Sequence, residues 1–496
     1  MEIRQYGPSA PGTSPAAGPP PRRGRRWPLG VLAVALAGGA AAGAVLATVP
    51  DEPERRAVPP PPAAGPRTQP QALALALAAL TSGVPAALPD LTALIGQQEG
   101  RVRARPQDAR AWAVLGTAYV ERGRVSADPA NYPKAERALT TSIQVRAGGN
   151  AEALGGLAAL ANARRDFAAA KRYGEQALKL TPKRWTAYPP LIDAYTGLGD
   201  YKAARGALDK LLALRPGVAA RPAVMARASA VYRDRGWRED AVAQLTDAAS
   251  TARTPPEQGA YLTGVGQLAW ERGDREDALR HFEAAVRVDP GRWAALAGKG
   301  RALAALGRAD EALTAYRAAL AGQPDPRVTL ELGELYESLG RFSSAREQYE
   351  LMRERVERSV DGGVDEELLI GQYEADHGDA QDAVVRLEEE WRRQPGIEVA
   401  DALGWALHRA GDDQEALKYA SIATDKAKGG GVRSALYAFH LGMIERETDR
   451  PGPARRHLQE ALRINPYFSP LRAPEARAAL RELGDVPDEP LPGADD

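Results

Sequence analysis

Cysteine is absent from the 496-residue chain, so no disulfide framework, thiolate metal site or cysteine nucleophile can form. An excess of either charge is absent too: Lys and Arg total 65, Asp and Glu total 65, and the net charge is zero. That balance speaks against nucleic acid as a partner, because phosphate-binding domains carry a basic excess. Aromatic residues are scarce at 6%, and no run of β-branched residues alternates as a strand would, so almost no sheet is expected. There is no HExxH and no glycine-flanked serine. What the chain has in plenty is Ala and Arg, a composition that favours helix. An all-α protein follows.

Long apolar runs are also missing, with one exception. Residues 1–26 are rich in Pro and Gly and end in Arg22, Arg23, Arg25 and Arg26; such a segment has no apolar period and is expected to be a disordered tail. Residues 27–49 then contain no charge, and Leu29 to Val49 is 21 residues long, enough helix to cross a hydrocarbon core of roughly 30 Å. Arginines precede this segment, so the positive-inside bias places the N-terminus in the cytoplasm and the remainder outside. A cleaved signal peptide is the alternative, since Ala42-Gly43-Ala44 has the form of a cleavage site; a twin-arginine signal fits less well, because Trp27-Pro28 follows Arg25-Arg26. Residues 50–70, with Pro59 to Pro62 consecutive, read as an extended spacer.

Beyond the spacer the sequence repeats. Residues 71–108 form a helical edge, with Asp90 to Arg105 as a lone second helix. Trp112, Leu115, Gly116 and Tyr119 then open a first helix with turn residue Gly123, followed by an insertion from Arg124 to Asn131. Turn glycines recur at Gly199, Gly236, Gly273, Gly307, Gly340, Gly378 and Gly411, each followed five residues later by alanine, as in Ala204, Ala278 and Ala312. Closing prolines recur at Pro182, Pro216, Pro290, Pro324, Pro395 and Pro466. Gly permits the tight turn, Ala lets two helices approach, and Pro stops the second. Over residues 109–468 this pattern resembles the tetratricopeptide-repeat family, a helix–turn–helix unit of 34 residues, repeated here about ten times. Two units depart from it, with Arg165 and Asp449 at the turn position, and Pro189-Pro190 is expected to kink or delay a first helix. Residues 469–484 read as a polar capping helix and 485–496 as an acidic, disordered tail. The resemblance implies a right-handed α-solenoid, set behind a single transmembrane helix.

Nothing in this pattern requires catalysis, a cofactor or a metal. His281 and His457 lie on second helices, His377 beside a turn glycine, and His408 and His440 on first helices of separate repeats. Gly264-x-Gly266 and Gly298-x-Gly300 follow no strand, so neither is a nucleotide fingerprint; both occupy helix-packing positions. Family members line a concave groove with their first helices, and by that resemblance the groove-facing residues are Asn162, Asp193, Arg233, Gln267, Trp270, Arg301, Glu334, Glu337, Gln372, Asp401, Trp405, His408 and Arg446. Trp270 and Trp405 are the aromatic anchors of that set; alternatively each packs against the next repeat.

The expected function is therefore a non-catalytic scaffold that binds a protein or peptide partner in the groove, held at the cell membrane through residues 27–49, in envelope or transport-complex assembly. A glycan-binding solenoid and a cytoplasmic regulator of reversed topology are the alternatives. The first would need clustered groove aromatics, and the second the opposite charge bias around the span.

Overall fold

In the computed structural model of the chain, residues 68–425 and 431–484 are described and belong to one compact unit. The predicted tail, span and most of the spacer (1–67) and the acidic tail (485–496) lie outside the described residues. Among the described residues no helix is long and apolar enough to cross a membrane, and no strand occurs: 23 α-helices and two short 3-10 turns account for the secondary structure.

The helices pair in chain order. An opening pair, α1 (Gln69–Ser82) and α2 (Leu88–Ala104), gives the Asp90–Arg105 segment a partner instead of leaving it alone. Ten pairs follow: α3 (Ala109–Ser126) with α4 (Asn131–Val145), α5 (Ala151–Ala163) with α6 (Phe167–Leu180), α7 (Tyr188–Gly197) with α8 (Tyr201–Ala213), and α9 (Arg221–Asp234) with α10 (Arg238–Thr251). Next come α11 (Pro255–Glu271) with α12 (Arg275–Val288), α13 (Trp293–Ala305) with α14 (Ala309–Gly322), and α15 (Pro326–Ser338) with α16 (Phe342–Asp361). The last are α17 (Glu367–His377) with α18 (Ala380–Arg393), α19 (Ile397–Arg409) with α20 (Asp413–Thr424), and α21 (Ala435–Glu447) with α22 (Pro451–Ile464). A final helix, α23 (Arg472–Leu483), buries Ala473, Ala476 and Ala479 against the last pair and leaves Arg481 and Glu482 exposed. Pro189 and Pro190 sit in the first turn of α7, where the missing N–H has no helical acceptor to lose; a 3-10 turn at Trp185–Ala187 precedes it, so the helix start is delayed.

Small residues on first helices make room for large ones. The Phe282 ring lies against both Gly266 and Gly298, and the Tyr316 ring against Gly300, so a methyl group at any of the three would overlap it. The buried Phe282 side chain contributes about 1.5–3 kcal/mol of transfer free energy. Between the helices of a pair, the chain reverses in the left-handed region at Gly199, Gly236, Gly273, Gly307, Gly340 and Gly411. Two expected turn glycines behave otherwise. Gly123 lies inside α3, under the Tyr132 ring, and the chain turns at Ala127 (φ 47°). Gly378 has φ −128°, because Asp379 caps α18 directly with bonds to the N–H groups of Gln381 and Asp382. Arg165 (φ 59°) and Asp449 (φ 61°) hold the left-handed turn without glycine.

The array also returns on itself. Turn loops of the earlier pairs dock on the loops between later pairs, about one superhelical turn further along. The Arg238 guanidinium donates to Arg433 O at 2.6 Å across 195 residues, and Asn465 Nδ2 donates to Trp270 O at 2.8 Å across the same interval. Arg164 Nε donates to Gly362 O (2.9 Å) and Arg165 pairs with the buried Glu366 (2.7 Å). Phe167 N donates to Gln394 Oε1 at 2.9 Å, and Ile397 N to the Tyr201 hydroxyl at 3.4 Å. Gly199 and Gly236 abut the carbonyls of Pro395 and Gly431, while Gly273 abuts Asn465 and Pro466. Successive superhelical turns are thus stitched together.

Candidate functional site: a cavity on the first helices

A cavity of about 730 Å³ opens where this stitching stops. Its walls come from six first helices, α11, α13, α15, α17, α19 and α21, from Ala309 and Tyr316 of the second helix α14, and from residues 466–477, which lead into and begin α23. Seven of the thirteen predicted groove residues meet in it: Gln267, Trp270, Arg301, Glu334, Gln372, Asp401 and Trp405.

The polar walls are mostly paired. Arg301 is held by Glu331 (2.9 Å) and by Gln267 Oε1 (2.8 Å). The Trp405 indole N–H donates to Asp376 at 2.8 Å, and Asp376 also pairs with Arg472, whose guanidinium lies 5.5 Å from the Trp405 ring centre. His440 stacks on Trp405 at 4.3 Å and donates from Nδ1 to the buried Asp401 carboxylate at 3.0 Å. Trp270 and Trp405 are 8% and 3% exposed, so both indoles are built into the wall instead of projecting from it.

Two groups stand apart. Glu334 makes no hydrogen bond or ion pair among the described residues, and its carboxyl is pushed up to about 8. Burial is the main cause; the neighbouring carboxylates Asp376 and Glu331 add to it and Arg472 opposes it. At neutral pH Glu334 is thus mostly protonated and can donate a hydrogen bond. Arg327 reaches only Gln372 Oε1, at 3.4 Å, and has no carboxylate within 4.0 Å among the described residues. An unpaired acid and an unpaired cation facing a cavity are the features expected of a site that completes its bonding with a ligand.

The other six predicted residues lie elsewhere and are engaged by neighbours. Asn162 donates to Pro190 O (2.7 Å), Asp193 pairs with Arg227, and Arg233 holds Glu271 in a two-bond clamp at 2.8 Å. Glu337 accepts from the Tyr349 hydroxyl (2.7 Å), His408 pairs with Asp413, and Arg446 with Glu447 and Glu482. The repeat pattern did not point to Arg327, Glu331, Asp376 or His440, although all four lie on first helices within about two turns of predicted positions, and a scan of each helix face would reach them. Tyr467, Phe468 and Arg472 carry no such signal; they enter the wall through the superhelical return. Among the described residues no group of three His, Asp or Glu is placed to hold a metal ion.

The family model of the tetratricopeptide repeat matches residues 263–326 and 305–357. These residues supply α11, α13 and α15, half of the first helices around the cavity. No curated protein matches the chain. Among solved structures, a human IFIT1 dimer with PPP-AAAA is similar at 18% identity, over 63% of this chain and 71% of that one, with a TM-score of 0.43. A tetratricopeptide repeat protein from Parabacteroides merdae is similar at 16% identity (53% and 99% covered, TM-score 0.32). The Pseudomonas aeruginosa pilF protein is similar at 19% identity (40% and 88% covered, TM-score 0.33).

Proposed function

We propose that the chain is a non-catalytic scaffold that takes a segment of a polypeptide partner into the cavity. The observation that carries this is the convergence of six first helices on one 730 Å³ space that leaves Glu334 and Arg327 unsatisfied. Tetratricopeptide repeats generally mediate contacts between proteins. A polypeptide backbone, with its alternating donors and acceptors, can bond to both a protonated carboxyl and a guanidinium. The buried indoles offer no stacking platform for sugar rings, which favours peptide over glycan. The uncharged stretch at 27–49 supports anchoring at a membrane with the repeats outside the cytoplasm, and a role in envelope or transport-complex assembly.

The test is a photoreactive amino acid placed at Ser338, in the cavity wall, and separately at Val385, which is 65% exposed and outside it. Irradiation of cells should join Ser338 to one contiguous segment of one protein and should not do so from Val385. The same mixture of adducts from both positions would defeat the reading. A reporter enzyme that works only outside the membrane, fused after residue 70, checks the orientation: activity supports it and inactivity reverses it.

A further inference from the structure

The turn loops form a series, and the cavity stands at its first vacancy. At Gly199 and Gly273 the docked segment has a side-chain amide followed by proline: Gln394-Pro395 in one case and Asn465-Pro466 in the other. Asn465 bonds to the backbone of the turn it meets, whereas Gln394 reaches the preceding turn, between α5 and α6. Gln394 Oε1 accepts from Phe167 N, the first residue of a second helix, and Asn465 Nδ2 donates to Trp270 O, near the end of a first helix. The next turn in the series is Gly307. It has φ +76°, and nothing lies within 4 Å of the place a Cβ would take. Gly307, Ala304 and Ala309 all line the cavity.

The comparison between Trp270 and Ala304 is close. Trp270 O accepts from Gly273 N (2.9 Å) and from Asn465 Nδ2. Ala304 O, one repeat on, accepts from Gly307 N (3.0 Å) and has no counterpart of Asn465. Ala309 N opens α14, where no helical acceptor exists for it, and Arg308 provides no side-chain cap. One acceptor and one donor therefore flank Gly307, which suits the carbonyl and NH₂ of a single side-chain amide. We infer that the cavity recognises an extended segment of a partner in which Asn or Gln precedes Pro, the amide bridging Ala304 O and Ala309 N while the proline lies over Gly307. This rests on the reading of the cavity as a polypeptide site.

The probe is a fluorescent octapeptide copied from residues 463–470, Arg-Ile-Asn-Pro-Tyr-Phe-Ser-Pro, titrated into the full chain. Saturable binding is expected, and replacing the peptide's Asn by Ala or its Pro by Ala should each weaken it by about tenfold. Ala309→Pro is the matching change in the protein. Proline is accepted at the first helical position and removes only the N–H, so binding should weaken several-fold with the thermal melt unmoved. If Ala309→Pro alters the melt, the two altered peptides still decide the matter against the unaltered protein. Equal binding of all three peptides, or no saturation up to about 1 mM, overturns the inference. So does a tenfold gain on truncation after residue 484, which would make the chain's own tail the occupant. A crosslink from Ser338 to a segment lacking an amide–proline pair would also overturn it, while leaving the scaffold reading intact.

Discussion

The turn loops of the array fall into two groups that share a backbone and differ in surroundings. Gly199, Gly236 and Gly273 are left-handed and are also pressed against a loop one superhelical turn away; Gly307, Gly340 and Gly411 are equally left-handed and have nothing within 4 Å of a Cβ. The residue two places on follows the same division. Tyr201 accepts from Ile397 N and Arg275 covers the Tyr467 ring at 4.4 Å, whereas Phe342 is 63% exposed. The same sequence element thus serves two purposes. In the first group it is a joint between superhelical turns, and in the second it is a free rim, with the cavity at the boundary between them.

The largest test of that division compares Gly199→Ala with Gly307→Ala. Both force alanine into the left-handed region, at about 1 kcal/mol. Only the first drives a methyl group into the Pro395 carbonyl, so its total cost should be about 3 kcal/mol. Urea unfolding should show the larger loss for Gly199→Ala, and hydrogen exchange should rise at residues 394–397 in that variant alone. Equal losses would mean that the stitching contributes nothing.

What the sequence could disclose follows the same line. Helix pairing, the six left-handed glycines and the Ala beneath each turn are local features, and each can be read within one repeat. Gly123 misled because a glycine near the end of a first helix looks like a turn, while Tyr132, which needs the space beneath it, lies beyond the apparent insertion. The superhelical return is different in kind. It sums small rotations over 195 residues, and no single repeat encodes the total. Seven groove residues could be placed in the cavity from repeat position alone, but Tyr467 and Arg472 could not. One clue was visible, Arg165 where glycine is the rule, and its partner Glu366 lies 201 residues away.

The free rim leaves Glu334 facing open space, and this gives the second test. Its folded-state value of about 8 lies above the unfolded value near 4.5. Between those values the folded state binds a proton that the unfolded state has released, so stability falls as pH rises from about 5 to 8. Glu334→Gln removes the titration. The variant should match the parent near pH 5 and exceed it near pH 8 by on the order of 2 kcal/mol, allowing for partial solvent screening. Parallel pH–stability curves would show that the cavity does not hold the proton.

The smallest effects come from the two turns that lack glycine, and they should have opposite signs. Asp449 makes no ion pair among the described residues, and its backbone carries the left-handed penalty. Asp449→Gly should therefore stabilise by about 0.5–1 kcal/mol. Arg165→Gly relieves the same penalty but leaves Glu366, 3% exposed, without its partner. Burial already raises that carboxyl above its usual range and Arg165 opposes the rise, so removing the guanidinium strands a desolvated acid. The net result should be a loss of about 1 kcal/mol, reduced from the value for a fully buried pair because Arg165 is partly in water. Urea midpoints for the two variants should move in opposite directions. A gain at both sites would show that the turn alone decides the residue there, and that the ion pair across superhelical turns is incidental.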